Sequence, residues 1–339
     1  MKADKRSVLT SVFAACGMGL LILDARTALE GAREAMELCI RTVIPSLFPF
    51  FFLSILLTGA LAGRSSPLLA PLGRLCGLPK GGEPLLLIGL LGGYPVGAQS
   101  IAESYRQGQL SAADARRMLG FCSNAGPAFI FGMAASLFQR KCAAWALWGI
   151  HILSALLVGV LLPGKSSGTV SLKGGVAAPF FQILTRALRV MAMVCGWVIL
   201  FRVLIAFLQR WCLWLLPCEA QTAMIGLLEL TNGCYELTHI PGEGLRFLLC
   251  ACFLSFGGLC VAIQTASVCA GLGTGAYFPG KLLQSVISFF LAAALQPLLF
   301  PGGAQITLVP WALASFPVLL LVFCLISKNK SSNPVAAGV

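Results

Sequence analysis

The sequence predicts an all-α polytopic membrane protein in which two structural repeats, each carrying broken or re-entrant helices, meet at a central site. Three observations carry this prediction. The 339 residues are 58% hydrophobic and only 11% charged, with a mean hydropathy of +0.89, whereas a soluble domain carries about 25% charged residues. Apolar stretches near the roughly 20 residues needed to cross a bilayer recur along the whole chain. Glycine-rich and polar interruptions fall inside the apolar sequence at corresponding places in two halves.

The first apolar run, 7–23, follows Lys2, Lys5 and Arg6 but leads into LDARTALEGAREAMEL rather than a small-residue cleavage pattern. It reads as a retained helix, not a cleaved signal, with its N-terminus cytoplasmic by the positive-inside rule. Segment 24–41 has helical periodicity, with Arg26 and Glu30, Glu30 and Arg33, and Glu37 and Arg41 spaced for ion pairing. It is expected to lie along the membrane interface and to carry no chemistry. Further spans are predicted at 42–61, 143–162, 190–208, 245–270, 282–300 and 308–326, with shorter apolar pieces at 84–91, 125–138 and 223–230. The predicted organisation is a span with its interfacial helix (1–41), a first repeat (42–162), a polar linker (163–175), a second repeat (176–326) and a polar tail (327–339).

The repeat rests on two landmarks. An IGLL tetrad occurs at 88–91 and again at 225–228, each time followed by a polar or glycine-rich break. Ser123 and Gly126 in FCSNAGP then align with Ser255 and Gly258 in FLSFGGL. A break inside a membrane segment frees backbone amides and carbonyls, each costing several kcal/mol in hydrocarbon unless protein or water satisfies it. Paired breaks in two halves therefore point to a cavity near the bilayer midplane. In LLGGYPVGAQ, Gly92, Gly93 and Gly97 permit unwinding and Pro95 stops the helix. With Tyr94 and Gly126, these positions form six of the fifteen in the candidate binding set. Gln99, Ser123, Asn124, Glu229, Thr231, Asn232, Ser255, Gln264 and Thr265 supply its polar side chains. Ser255, Gly257, Gly258 and Thr265 serve equally well as packing positions or in-helix hydrogen-bonding residues. Glu229 stands out because a mid-membrane carboxylate costs about 2.5–3.5 kcal/mol, so protonation, a partner or water is required.

Several chemistries lack their residues. GVLLPGKS, 159–166, matches the P-loop pattern, but an apolar span precedes it where a strand is needed. The match is read as accidental. Most of the fourteen cysteines, among them Cys16, Cys39, Cys195 and Cys250, lie in apolar segments as small hydrophobes. No CxxC pair occurs, and His151 and His239 are the only histidines, so neither a metal nor a cofactor is expected. No nucleophile and base pair suggests an enzyme. The formal net charge of +12, spread between spans, suits anionic lipids and an anionic solute rather than nucleic acid. A coupling ion and a homo-oligomer are compatible with the sequence but leave no residue signature in it.

GGYPVGAQSIAE, LSAADARRML and FCSNAGPAFI together resemble the YlbJ-type sporulation integral membrane proteins, also called stage V sporulation protein VV, of the nucleoside-recognition Gate-domain group. IPSLFPFFFLS, AIQTAS and YFPGKLLQSVISFFLA fit the same resemblance, which covers nearly the whole chain. It implies two Gate-like repeats in a multi-pass protein of the outer forespore membrane. Its implied activity is the movement of dipicolinate, a planar dianion, by alternating access. The backbone amides of 92–98 and 125–126, with Gln99, Ser123 and Asn124, would suit carboxylates. Arg116 and Arg117 are expected on a solvated face with Asp114, with a lesser part in guiding the anion. An ionised Glu229 would repel a dianion, so it is expected to be protonated during transport or to lie on the side of a coupling cation. The second copy, ELTNGCYEL, departs from GGYPVGAQ, which weakens the transfer of a binding role to Glu229 and Asn232. A nucleoside-type transporter and a non-transporting scaffold for spore assembly are the alternatives.

Overall fold

The computed structural model describes residues 5–61, 69–164, 166, 168–170 and 179–301. The predicted span at 308–326 and the tail at 327–339 lie outside the described residues. Among those described, the chain is helical apart from its connections and one isolated bridge between Lys80 and Thr169.

Helix α1 (Lys5–Leu23) carries the first apolar run. Asp24 follows it and caps α2 (Ala25–Leu38) by accepting a hydrogen bond from the Thr27 amide at 3.3 Å. A π turn, Cys39–Val43, then carries the helix without interruption into α3 (Ile44–Leu61). The charged segment expected to lie apart along the interface thus shares one helical run with the following span. Its exposed pairs form as spaced, Arg26 with Glu30 at 2.8 Å and Arg41 with Glu37 at 3.1 Å.

Short elements follow: α4 (Ala70–Leu75), α5 (Glu83–Leu91), α6 (Val96–Arg106), α7 (Ala112–Met118) and α8 (Pro127–Gly132). A 3-10 turn at Ala134–Leu137 leads into α9 (Lys141–Leu161), a full-length apolar helix. The second half contains α10 (Phe180–Trp211), α11 (Cys218–Leu228), α12 (Leu230–Glu236), α13 (Glu243–Phe256), α14 (Gly258–Val268) and α15 (Tyr277–Leu299). The apolar sequence 245–270 is therefore two helices divided at Gly257, where φ is +80°. Five described stretches are long and apolar enough to cross a membrane: Ala25–Leu57, Lys141–Leu161, Phe180–Trp211, Glu243–Val268 and Tyr277–Leu299. The protein is a multi-pass α-helical membrane protein.

Helices α9, α13 and α15 pack on one another, and α10 packs along α2 and α3. A residue such as Gly31 lets α2 approach α10 closely: a Cβ there would lie 2.9 Å from that of Ala206. Beside this contact, Arg202 of α10 pairs with Glu34 of α2 at 2.6 Å and with Glu236 at the end of α12 at 2.9 Å. The charges of the segment assigned no chemistry thus dock it onto the bundle.

Arg116 stays exposed, as expected of a solvated face, whereas Arg117 is partly buried and departs from it. Arg116 Nε donates to the Leu272 carbonyl at 2.8 Å. Arg117 donates to the carbonyls of Cys76, Gly77, Gly159, Leu162 and Pro163, while Asp114 pairs instead with the Ser111 hydroxyl in the cap of α7. Free carbonyls at helix ends and in loops need donors, and a guanidinium supplies five in a fixed fork. Burial is the largest influence on the Arg117 pKa and lowers it, yet arginine starts so high that it stays cationic. The GVLLPGKS segment begins inside α9 rather than after a strand, and its Gly159, Leu162 and Pro163 carbonyls face Arg117.

Candidate functional site

Two helical hairpins build the site. In a continuous helix, Gly89 and Gly97 would be about 12 Å apart. Instead, a Cβ on Gly97 would lie 3.0 Å from the Gly89 Cα, so α5 and α6 fold back on each other. The turn is the unwound segment 92–95, where Gly93 has φ +78° and the Tyr94–Pro95 peptide is cis. The second hairpin does the same. A Cβ on Gly233 of α12 would collide with the Gly226 Cα of α11, although seven residues separate them. Both Gly89 and Gly226 are the glycines of the IGLL tetrads.

The later landmarks close onto these hairpins in matching fashion. A Cβ on Gly126 would lie 3.0 Å from the Gly93 Cα and 3.2 Å from the carbonyl oxygen of Leu91. A Cβ on Gly258 would lie 3.3 Å from the Glu229 Cα and 3.1 Å from the carbonyl oxygen of Leu228. Leu91 and Leu228 are the last residues of the two tetrads, so aligned glycines meet aligned backbone.

Glu229 makes the second turn without glycine. Its extended backbone (φ −147°, ψ 124°) ends α11, and its carboxylate caps α12 by accepting from the Asn232 amide at 2.7 Å and from Asn232 Nδ2 at 2.8 Å. Glu229 and Asn232 are buried and satisfy one another. A capping carboxylate completes donors that a buried helix start leaves open, which gives this residue a structural partner as well as a position facing the cleft.

Between the hairpins lies a cleft of about 570 Å³ counted to its open mouth. Gly92, Gly93, Tyr94, Gly126, Glu229, Thr231 and Gln264 of the candidate set line it, together with apolar residues such as Phe51, Phe129, Val194 and Val261. The other candidates lie elsewhere. Pro95 and Gly97 are buried in the first hairpin, and Gln99 is half-buried further along α6. Ser123 and Thr265 are fully buried, and their hydroxyls have no hydrogen-bond partner among the described residues.

Asn124 and Ser255 belong to a polar network behind the cleft. Asn124 Nδ2 donates to the carbonyls of Phe121 (2.7 Å) and Gly89 (3.3 Å), tying the 119–126 connection to the first hairpin. Its Oδ1 accepts from Lys281 Nζ at 3.0 Å, and the same ammonium donates to Gln284 Oε1 at 2.6 Å. The Ala125 amide, expected to be open to an anion, donates to His151 Nε2 at 3.1 Å. Because Nε2 accepts, the proton of the neutral imidazole sits on Nδ1, which faces Ser255 Oγ at 3.2 Å. From there hydroxyl bonds run from Ser255 to Ser288 (2.6 Å), on to Ser154 (2.9 Å) and back to the His151 carbonyl (3.0 Å). Gln284 Nε2 closes the network on that carbonyl. All seven residues are buried, drawn from α9, α13, α15 and the 119–126 connection.

Five of them escaped the sequence reading: His151, Ser154, Lys281, Gln284 and Ser288. A signal existed. Lys281, Gln284 and Ser288 recur at i, i+3 and i+7 in YFPGKLLQSVISFF, one helical face, and a lysine within an apolar span is a functional pointer.

No family model matches the chain, and no solved structure matches it. It is similar to the sporulation integral membrane protein YlbJ of Bacillus subtilis, with 26% identity over 329 aligned residues, covering 82% of this chain and 80% of the relative. The similarity extends over most of both chains. With the multi-pass helical architecture, it supports assigning the chain to the YlbJ-type sporulation integral membrane proteins.

Proposed function

We propose that the protein is a transporter of a small anionic solute, dipicolinate, across the outer forespore membrane during sporulation, working by alternating access of two Gate-like repeats. The observation that carries this reading is the convergence of two folded-back hairpins on one cleft, with aligned glycines packing on aligned backbone in each half. Inverted or parallel repeats with broken helices at a shared site are the common plan of secondary transporters.

Anion preference has its own support. Helices α6 and α14 both begin beside residues that line the cleft, Tyr94 and Glu229, and neither has a side-chain cap, so the positive ends of their dipoles lie near it. Lys281 adds the one buried lysine among the described residues. Apolar and aromatic walls suit a flat heteroaromatic ring. The carboxylate of Glu229 is engaged by Asn232 rather than directed wholly at the cleft, which reduces its repulsion of an incoming anion.

The test is uptake of labelled dipicolinate into liposomes containing the purified protein. We expect saturable uptake that excess unlabelled dipicolinate abolishes and nucleosides do not. Uptake blocked by nucleosides supports the nucleoside-type reading. No uptake under any ion gradient favours the scaffold.

A further inference from the structure

The ammonium of Lys281 is 1% exposed and lies inside a membrane-spanning helix. Its partners are two neutral amide oxygens, on Asn124 and Gln284, and the face of the Tyr94 ring, whose centroid is 5.4 Å away. Among the described residues no carboxylate pairs with it. A buried cation is strongly disfavoured unless an opposite charge compensates it, and a π face is a weak substitute for a carboxylate.

Tyr94 is the element between this cation and the cleft. Tyr94 lines the cleft, which Lys281 does not, and its ring covers the Lys281 ammonium. It sits in the unwound segment between Gly93 and Pro95, and its hydroxyl makes only a long bond, 3.4 Å, to the Leu254 carbonyl. Gly257, at the break of the other repeat, lets the ring rest there: a Cβ at Gly257 would lie 3.1 Å from Tyr94 Cζ. The Tyr94 ring, itself part of one break, therefore meets both the cation and the break at Gly257.

Resting on the transport reading, we infer that Lys281 is the counter-charge for a carboxylate of the solute and that Tyr94 is the shutter over it, giving way as the carboxylate replaces the ring. Asn124 and Gln284 then act as positioning residues that hold the ammonium toward the cleft. The bound anion completes a charge balance that the protein alone leaves open, so dicarboxylates are selected over neutral analogues of the same shape.

The experiment compares binding of pyridine-2,6-dicarboxylate and of its uncharged diamide to the purified full chain by calorimetry, with uptake measured in parallel. Wild type is expected to prefer the dicarboxylate. Lys281→Met is expected to weaken dicarboxylate binding at least about tenfold, the scale of a lost charge-assisted hydrogen bond, and to leave diamide binding within about twofold, while Lys281→Arg retains the preference. Should Lys281→Met fail to fold, Tyr94→Ala decides. Uncovering the ammonium should tighten dicarboxylate binding selectively, whereas equal changes for both compounds overturn the inference. An unchanged preference in folded Lys281→Met, or no dicarboxylate binding by wild type, overturns it as well. Binding that depends on Lys281 without any uptake would leave the anion site standing and reject the transport reading.

Discussion

At the scale of single residues, the site is dominated by side chains that are already satisfied by protein. Asn124 uses both its amide hydrogens and its oxygen within the network, and His151 uses both ring nitrogens. His151→Phe is expected to destabilise the protein by about 1–3 kcal/mol, because the Ala125 amide loses its acceptor in a dry interior. Thermal unfolding of the purified variant measures it. Glu229 is separable in the same way. Glu229→Ala removes the cap of α12 and should cost about 0.5–2 kcal/mol, whereas Glu229→Gln keeps an acceptor for Asn232 and should retain most of that. If Glu229 also titrates during transport, Glu229→Gln changes the pH dependence of uptake while remaining stable. Identical pH profiles for the two proteins would limit Glu229 to capping.

At the scale of elements, the hairpins depend on missing side chains. Gly226 and Gly233 touch, and the Phe253 ring fills the space beside them. Gly89 and Gly97 both press on the Cys122 carbonyl. Gly226→Ala and Gly89→Ala should each destabilise by about 1–3 kcal/mol through overpacking. Gly149 in α9 has nothing within 4 Å of where its Cβ would be, so Gly149→Ala should be neutral or stabilising by up to about 1 kcal/mol. Unfolding temperatures of the three variants, measured side by side, check the contrast. The breaks themselves were legible in the sequence because unwinding is a local event: Gly92, Gly93 and Pro95 cannot continue a helix wherever they are placed. That the chain folds back there, so that Gly89 meets Gly97, was not legible, since a kink and a hairpin have the same local composition.

At the scale of the whole molecule, α2 and α10 are joined by charge. Arg202 is mostly buried and serves both Glu34 and Glu236, and only Glu236 shares its burial. Arg202→Met should therefore cost about 3–5 kcal/mol, the penalty for stranding a buried partner. Adding Glu236→Gln should recover part of the loss, because the stranded charge is then gone. A double-mutant cycle in unfolding free energy measures the coupling, and strictly additive losses would show that the pair acts independently. The network around Lys281 belongs to this scale too, as it joins α9, α13, α15 and the 119–126 connection, segments far apart in sequence.

Membrane residence, the order of the helices and the places where they break follow from the sequence alone. Apolar length and helix-stopping residues act locally, and hydrocarbon tolerates few alternatives to a satisfied helix. Only the tertiary structure decided that Arg116 and Arg117 brace loops, that Glu229 caps a helix, and that Lys281 stands buried behind Tyr94. Those roles depend on which carbonyls, amides and rings other segments bring within reach. Such proximity arises from packing across the bundle, and no local spacing encodes it.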